Sequence, residues 1–121
     1  MTRKPMAGFK LWDIVKVPFP YTDRPVRQHR PALIAAAGDV QAAHGLVWVL
    51  MITSAENRGW DGDVAISNLD MAGLPAPSVV RCAKIATIDM GAAEYIGHLP
   101  RGDQQKAAKV LARILAPASG G

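Results

Sequence analysis

The chain has almost no cysteine, because Cys82 is the only one among its 121 residues. A single cysteine cannot form a disulfide within the chain, and it cannot supply the thiolates of a structural zinc site. The sequence therefore excludes the class of small domains that disulfides hold together. This composition fits a reducing compartment, and we expect the protein to be cytoplasmic.

Long hydrophobic runs are also missing. The longest apolar run, Leu46–Ile52, has seven residues, whereas a membrane-spanning helix needs about 20. The N-terminal segment is basic but no apolar run follows it, so it does not read as a signal peptide. We therefore expect no membrane partner. The length predicts a single domain over residues 1–121, with residues 1–8 as a flexible tail.

Several catalytic signatures are absent as well. His29, His44 and His98 are scattered, without the spacing of a metal site. No serine lies in a glycine-flanked nucleophile elbow, and no glycine-rich loop could hold a phosphate. Asp61 and Asp63 flank a glycine and could chelate a divalent ion, although such a pair is more often a turn. We expect neither a metal nor a cofactor.

Positive charge is concentrated at the N-terminal end. The net charge is +4, and residues 1–30 hold seven Lys/Arg residues against two acidic ones. The segment before the second predicted strand contains Arg24, Arg27, His29 and Arg30. Such a basic cluster predicts an anionic partner, without identifying it.

Alternating and apolar segments predict several short strands. Pro18 and Pro20 should end the first strand, because proline cannot donate a hydrogen bond to a neighbouring strand. The run Gly45–Thr53 is apolar throughout, which predicts a central strand buried on both sides. The segment at residues 78–89 reads either as two strands or as one bent strand. The predicted strands are Leu11–Val17, Pro31–Ala37, Gly45–Thr53, Val64–Ile66 and Ser78–Asp89.

One helix is predicted near the C-terminal end, over Asp103–Leu115. Asp103 is expected as its N-cap, and apolar residues recur at helical spacing along one face. Polar loops are expected at Ser54–Asp63, and a rigid turn at Gly73–Pro77. Short strands followed by one helix predict a mainly β fold, either a small barrel or a compact sheet capped by the helix.

Arg30 is the strongest candidate for chemistry from the residues alone. An arginine can bind a phosphoryl group through two hydrogen bonds and remains charged while negative charge develops. Because Pro31 follows it, the Arg30 backbone should be extended and its side chain fixed at the strand start. A solvated surface charge is the alternative interpretation, and the residues alone leave both open.

Four sequence blocks, in the expected order, carry a resemblance to a known family. The chain resembles the MazF/PemK toxins of type II toxin–antitoxin systems through a first strand ending in a V-x-F-P-[FY]-T-D motif, an R-P-A-L strand start, a central strand ending in two hydroxyl residues, and an A-G-L block. These blocks read GFKLWDIVKVPFPYTD, HRPALI, VLMITS and AGLPAPSVVRCAKIATID.

The resemblance implies a small SH3-like β-barrel with a C-terminal helix, assembled as a homodimer. It further implies an endoribonuclease that cleaves single-stranded RNA without a metal. The ribose 2′-hydroxyl attacks the adjacent phosphate and leaves a 2′,3′-cyclic phosphate and a 5′-hydroxyl, so RNA and not DNA is the substrate. The implied partners are single-stranded RNA and a cognate antitoxin, with operator DNA bound only in complex with the antitoxin.

By the same resemblance, Arg30 is the catalytic residue that stabilises the charge on the phosphorane, and Thr53 hydrogen-bonds the phosphate. Without the family, Thr53 would be read as a threonine chosen for its strand propensity. Arg81 has a similar alternative as an exposed strand cation. The residues expected to bind substrate are Arg27, His29, Ser54 and Arg81.

One position departs from the family pattern. Where the family block has Arg-x-Asp, this chain has Arg81 followed two residues later by Ala83, which cannot act as an acid or a base. This leaves open a weakened ribonuclease. It also leaves open a non-catalytic growth inhibitor, or a protein that binds DNA or gyrase, on the same barrel. Trp60 could stack on a base or cover the rim of the fold.

Overall fold

Six strands and three helices make up the part of the chain that the structure describes. The structure is a computed structural model, and it describes residues 8–20, 27–57 and 59–116. A short 3₁₀ turn at Met90–Ala92 precedes the last strand. In chain order the elements are β1 (Asp13–Pro20), β2 (Arg27–Ala36), α1 (Gly38–His44), β3 (Leu46–Ser54), β4 (Asp63–Ala65), α2 (Leu69–Ala72), β5 (Ser78–Asp89), β6 (Glu94–His98) and α3 (Arg101–Ile114).

The strands form one antiparallel sheet in the order β4-β5-β3-β2-β1-β6. The predicted class, mainly β with a C-terminal helix, is confirmed. Among the described residues the sheet is open, with β4 and β6 as its edges, so the expected barrel is not closed by strand pairing. No helix in the described ranges is long and apolar enough to cross a membrane.

Both faces of the sheet are buried. Helices α2 and α3 cover one face, called here the helix side, and the N-terminal residues with the end of β5 cover the opposite side. The helix-side core comprises Ile14, Leu33, Leu50, Ile52, Val64, Ile66, Ala72, Leu74, Val80, Cys82, Leu99 and Ala107. The opposite core comprises Phe9, Val15, Val17, Ala32, Ile34, Ala37, Val47, Val49 and Met51.

Strand β3 is the central strand that its composition predicts. Leu50 and Ile52 lie in the helix-side core, whereas Val49 and Met51 lie in the opposite core. Successive side chains of a strand point to opposite faces, so a continuous apolar run fills both. This prediction is confirmed. A residue that pairs with a β3 residue points to the same face of the sheet as that residue.

The expected end of β1 at its prolines is wrong. Pro18 and Pro20 remain in the strand, where Pro18 pairs with His29. Strand β6 pairs with β1 only as far as Lys16, so beyond this residue β1 has a described partner on one side only. A proline is tolerated there because its missing N–H need not enter a ladder.

Strand β5 is one bent strand, which was one of the two predicted alternatives. Arg81 pairs with Met51 and Ile85 pairs with the next residue of β3, Leu50. The three β5 residues in between therefore have no partner on β3, and they form a bulge that bends the strand. Ala83, the position of the missing carboxylate, lies in the middle of this bulge and is exposed.

Helix α3 begins earlier than predicted. Its N-cap is Pro100, so the expected N-cap role of Asp103 is wrong. Asp103 is instead buried, and it accepts hydrogen bonds from the backbone N–H and the hydroxyl of Ser67 at 2.8 and 3.0 Å. It joins α3 to the segment after β4. The predicted apolar face of α3 is buried at Ala107, whereas Leu115 is 61% exposed.

Candidate functional site

A cavity of about 410 Å³ lies at the ends of β2 and β3, closed on one side by the predicted turn at residues 73–77. It takes residues from both faces of the sheet, since Ile52 belongs to the helix-side core and its neighbour Thr53 does not. Its lining residues are Lys16, Arg30, Pro31, Ile52, Thr53, Ser54, Gly73, Leu74, Pro75, Ala76, Pro77, Ser78 and Ile96.

Strand register brings Arg30 and Thr53 together. Ala32 pairs with Met51, and Arg30 and Thr53 each lie two residues beyond this pair towards the same end of the sheet. Side chains that lie across from each other share a face, which here is the face of the opposite core. Both side chains are partly buried. Two residues 23 positions apart in the sequence thus meet at one end of the cavity.

The turn after β3 orients the Thr53 hydroxyl. Asn57 donates a hydrogen bond from its side-chain amide to Thr53 Oγ1. The turn is held by the Asn57 N–H on the Ser54 carbonyl at 3.1 Å and by the Glu56 N–H on Ser54 Oγ at 3.2 Å. A hydroxyl oxygen that accepts from an amide still has its own hydrogen to donate. Thr53 can therefore donate that hydrogen to an anion in the cavity.

The cavity suits an anionic ligand. Lys16 and Arg30 supply two cations, and no aspartate or glutamate is among the described residues that line it. Thr53 and Ser54 add hydroxyl groups, while Ser78 donates its own hydroxyl to the Ala76 carbonyl at 2.8 Å. Guanidinium, ammonium and hydroxyl donors around one volume are the groups that bind a phosphate in proteins.

The structure brings three of the six predicted site residues into this cavity, namely Arg30, Thr53 and Ser54. His29 is exposed, pairs with Pro18 and does not line the cavity. Arg27 begins β2, but its side chain lies outside the described residues.

Arg81 lies outside the cavity, in a separate polar cluster. It is only 8% exposed, and its guanidinium donates to both carboxylate oxygens of Asp63, with Nε–Oδ1 at 3.2 Å and Nη2–Oδ2 at 2.9 Å. Its Cζ lies 4.3 Å from the ring centroid of Trp60. The interpretation of Arg81 as an exposed strand cation is therefore wrong, because the side chain is buried between an acid and an aromatic ring.

Asp63 is held ionised within this cluster. Burial acts to raise its pKa, but the hydrogen bonds from Arg81 and from the Trp60 backbone, with the charge of Arg81, outweigh burial and lower the pKa below 3.8. The interpretation of Asp61 and Asp63 as a chelating pair finds no support, because Asp63 is bound to Arg81. Across the described ranges, no three His, Cys, Asp or Glu side chains are grouped to hold a metal ion.

Cys82 and His98 belong to the framework of the fold. Burial, with the nearby charge of Asp63, raises the pKa of the Cys82 thiol to about 11, which keeps it uncharged and unreactive. His98 Nδ1 lies 3.2 Å from the buried Asp13 carboxylate, and its Nε2 lies 3.3 Å from the side-chain amide of Gln104. These contacts tie β1, β6 and α3 together.

Sequence reasoning missed two residues near the cavity. The sequence shows Lys16 only as one charge of the basic N-terminal region, although it is the one lysine of β1 and pairs with Pro31, directly after Arg30. Asn57 falls within the polar loop expected at Ser54–Asp63, and the sequence assigns it no contact with Thr53. Its spacing of four residues from Thr53, within a polar turn, is the signal that could have identified its contact with the hydroxyl.

The chain matches one described family over most of its length. The model of the family described as "PemK-like, MazF-like toxin of type II toxin-antitoxin system" matches residues 10–115. No curated protein matches the chain.

Solved structures with the same fold include toxins and toxin–antitoxin complexes from Deinococcus radiodurans and from mycobacteria. A MazE-MazF crystal structure from Deinococcus radiodurans has a TM-score of 0.70 and 18% identity, over 92% of this chain and 98% of that one. The Mycobacterium tuberculosis toxin MazF-mt6 has a TM-score of 0.62 and 26% identity, over 82% and 92%. An endoribonuclease in complex with its cognate antitoxin, from a mycobacterial species, has a TM-score of 0.69 and 17% identity, over 89% and 95%.

Proposed function

Since the chain belongs to the PemK-like, MazF-like toxin family of type II toxin–antitoxin systems, we propose that it is an endoribonuclease toxin that cleaves single-stranded RNA without a metal. The observation that carries this proposal is the placement of Arg30 and Thr53 in one cavity, where Lys16 is a second cation and the described lining residues include no carboxylate. This arrangement supports binding of a backbone phosphate.

The reaction proposed is an internal transfer at phosphorus. The ribose 2′-oxygen forms a bond to the adjacent phosphorus, the bond from phosphorus to the 5′-oxygen breaks, and one proton is transferred overall from the 2′-oxygen to the 5′-oxygen. The products are a 2′,3′-cyclic phosphate and a 5′-hydroxyl. DNA lacks the nucleophile and is not cleaved.

Arg30 and Thr53 act on the charge that develops during this transfer. The nonbridging phosphate oxygens become more negative in the transition state, and a guanidinium positioned beside them stabilises that charge. Thr53 donates its hydrogen to one of the same oxygens, while the side-chain amide of Asn57 donates to one of the two lone pairs of Thr53 Oγ1. Lys16 adds a second cation at the cavity. None of these roles needs Ala83 to be a carboxylate.

The partners proposed are single-stranded RNA, a second copy of the chain and a cognate antitoxin. The antitoxin is supported by similar structures whose descriptions name MazE or a cognate antitoxin. Operator DNA is proposed as a ligand only of the complex with the antitoxin. We expect the antitoxin to compete with RNA for the cation-lined cavity, because both would present negative charge to it.

The experiment that tests this function measures cleavage of a single-stranded RNA in EDTA. We expect Arg30→Ala and Thr53→Val each to lower kcat/KM at least about 100-fold, as removal of one transition-state donor does. Thr53→Val keeps the β-branched shape, so its loss reports the hydroxyl. The matched controls are Arg101→Ala and Thr87→Ala, two exposed residues away from the cavity, and they should cleave like the wild type.

The same assay separates the catalytic function from the non-catalytic alternative. If Arg30→Ala and Thr53→Val cleaved as well as their controls, the assigned roles would be wrong. A protein that cleaves no RNA but binds DNA tightly without an antitoxin would favour a DNA- or gyrase-binding inhibitor on the same fold.

A further inference from the structure

Trp60 is an exposed tryptophan whose ring contacts a buried arginine. Its side chain is 48% exposed, and it belongs to neither of the two cores. One side of the indole ring is covered by the guanidinium of Arg81, 4.3 Å from the ring centroid. The ring therefore has one face on a buried cation and another available to solvent.

Two hydrogen bonds between Trp60 and Asp63 hold the turn that contains Trp60. The Trp60 N–H donates to Asp63 Oδ2 at 2.9 Å, and the Asp63 N–H donates to the Trp60 carbonyl at 3.0 Å. Asp63 in turn holds Arg81 through two hydrogen bonds. Because each member of this cluster fixes another, little conformational entropy is lost when a flat ligand settles on the ring.

This cluster lies on the same face of the sheet as Arg30 and Thr53. Arg81 pairs directly with Met51 of the opposite core, and Thr53 is two residues further along the same strand. Residues two apart on a strand share a face. Strands β2 and β5 are separated only by β3, so they lie roughly 10 Å apart, which is two strand spacings.

We propose that Trp60, held by Arg81 and Asp63, is the stacking platform for one nucleobase of the RNA beside the scissile phosphate, and so favours strongly stacking bases at that position. This inference rests on the proposed ribonuclease function. Aromatic stacking is how proteins hold unpaired bases, and the cation beneath the ring keeps the indole in place. The burial of Arg81 gives it a positioning role instead of direct contact with phosphate.

Charge near the platform is compatible with RNA. The carboxylate of Asp63 is neutralised by Arg81. Asp61 has an exposed carboxylate, with the guanidinium of Arg113 at 3.6 Å. Exposed pairs of this kind are screened by salt, so repulsion of the phosphate backbone is weak at this point.

The test sequences the 5′-hydroxyl ends that each variant produces from one long single-stranded RNA transcript. Trp60→Leu still covers Arg81 but cannot stack, whereas Trp60→Phe keeps an aromatic ring. We expect Trp60→Leu to lose the preference for one position of the cleavage motif and roughly 10-fold in kcat/KM. Trp60→Phe should keep the motif. Trp48→Leu removes another exposed tryptophan, 44% exposed, and should also keep it.

A second measurement separates stacking from a structural role. On an oligonucleotide that carries an abasic nucleotide at the affected position, wild type and Trp60→Leu should become equal in kcat/KM, with equal thermal unfolding temperatures for the two proteins. The inference is overturned if Trp60→Leu cuts the same motif as efficiently as the wild type, or if Trp48→Leu alters the same position. Failure of the wild type to cut any RNA would instead overturn the proposed function.

Discussion

At the scale of single residues, the account depends on how the Thr53 hydroxyl is oriented. Asn57 donates to its oxygen, which leaves the hydroxyl hydrogen available for a phosphate oxygen. Without this contact the hydroxyl would rotate freely and would spend part of its time pointing elsewhere. Asn57 is therefore a positioning residue, which acts through Thr53.

We expect Asn57→Ala to lower kcat/KM roughly 5- to 10-fold, the effect of one ordinary hydrogen bond. In a Thr53→Val background the same substitution should have almost no further effect, because its partner is already gone. Steady-state kinetics on the two single variants and the double variant measure this coupling. Additive losses would show that Asn57 acts independently of Thr53.

The ion pair between Asp63 and Arg81 is expected to stabilise the fold. Both side chains are 10% exposed, so Asp63→Asn removes the carboxylate charge that two hydrogen bonds hold against a buried guanidinium, and it should cost about 3 kcal/mol of unfolding free energy. Asp61→Asn is the matched control, because the Asp61 side chain is 95% exposed and its ion pair is weak. Urea unfolding near neutral pH measures both variants.

The pH dependence of that difference follows from the lowered pKa of Asp63. A carboxyl whose pKa is lower in the folded state than its ordinary value of 3.8 stabilises the fold above that value, and the contribution is lost as the pH falls through the folded-state pKa. The difference between wild type and Asp63→Asn should thus shrink in acid. A difference that stays constant down to about pH 2 would contradict the assignment.

At the scale of elements, the wall of the cavity depends on close contacts between backbones. Gly73 ends α2 with φ of 74°, and a Cβ there would lie 2.0 Å from the Ile96 carbonyl oxygen. Gly97 of β6 has a similar restriction, because its Cβ would meet Ala72 at 2.3 Å. Only glycine allows α2 and β6 to approach this closely, and the turn that follows Gly73 lines the cavity.

Gly73→Ala should therefore lower the unfolding free energy by at least about 2 kcal/mol. The alanine would have to adopt a left-handed backbone conformation, and its Cβ would clash with backbone atoms. Gly102→Ala is the matched control. Gly102 lies in α3 with open space around its Cβ, and alanine is the better helix former. Guanidinium unfolding compares the two variants. If Gly73→Ala and Gly102→Ala had equal stabilities, the approach of α2 to β6 would not require a glycine.

The elements also show where sequence reasoning succeeds and where it fails. The apolar run of β3 and the amphipathic middle of α3 are long enough for periodicity to identify them. Helix α2 has four residues and β6 has five, so neither repeats its pattern enough to be recognised. Both are held by tertiary contacts around Gly73 and Gly97, which do not appear in the local sequence.

Some residues of the candidate site could be predicted from the sequence, and others could not. Arg30 was predictable as a candidate because Pro31 marks a strand start, whereas the role of Thr53 followed only from the resemblance to the MazF/PemK family. The contributions of Lys16 and the turn at residues 73–77 were not predictable, because they depend on the register of β1 and on the packing of α2. The burial of Arg81 required a partner, Asp63, 18 residues away.

At the scale of the whole molecule, the cavity at the ends of β2 and β3 and the cluster of Trp60, Arg81 and Asp63 lie two strands apart, and Arg30, Thr53 and Arg81 share one face of the sheet. The buried polar groups of the fold, including Asp103 and Asp13, are hydrogen-bonded within it. The cavity is lined by Lys16, Arg30 and the hydroxyl groups of Thr53 and Ser54. These are the groups to which the proposed RNA cleavage assigns the phosphate.

The most direct test of this account is the chemistry of the ends that the purified wild-type protein leaves on single-stranded RNA in EDTA, with Arg30→Ala run alongside. We predict 5′-hydroxyl and 2′,3′-cyclic phosphate ends from the wild type, and at least about 100-fold slower cleavage by Arg30→Ala. Absence of cleavage by the wild type, 5′-phosphate ends, or full activity in Arg30→Ala would contradict it.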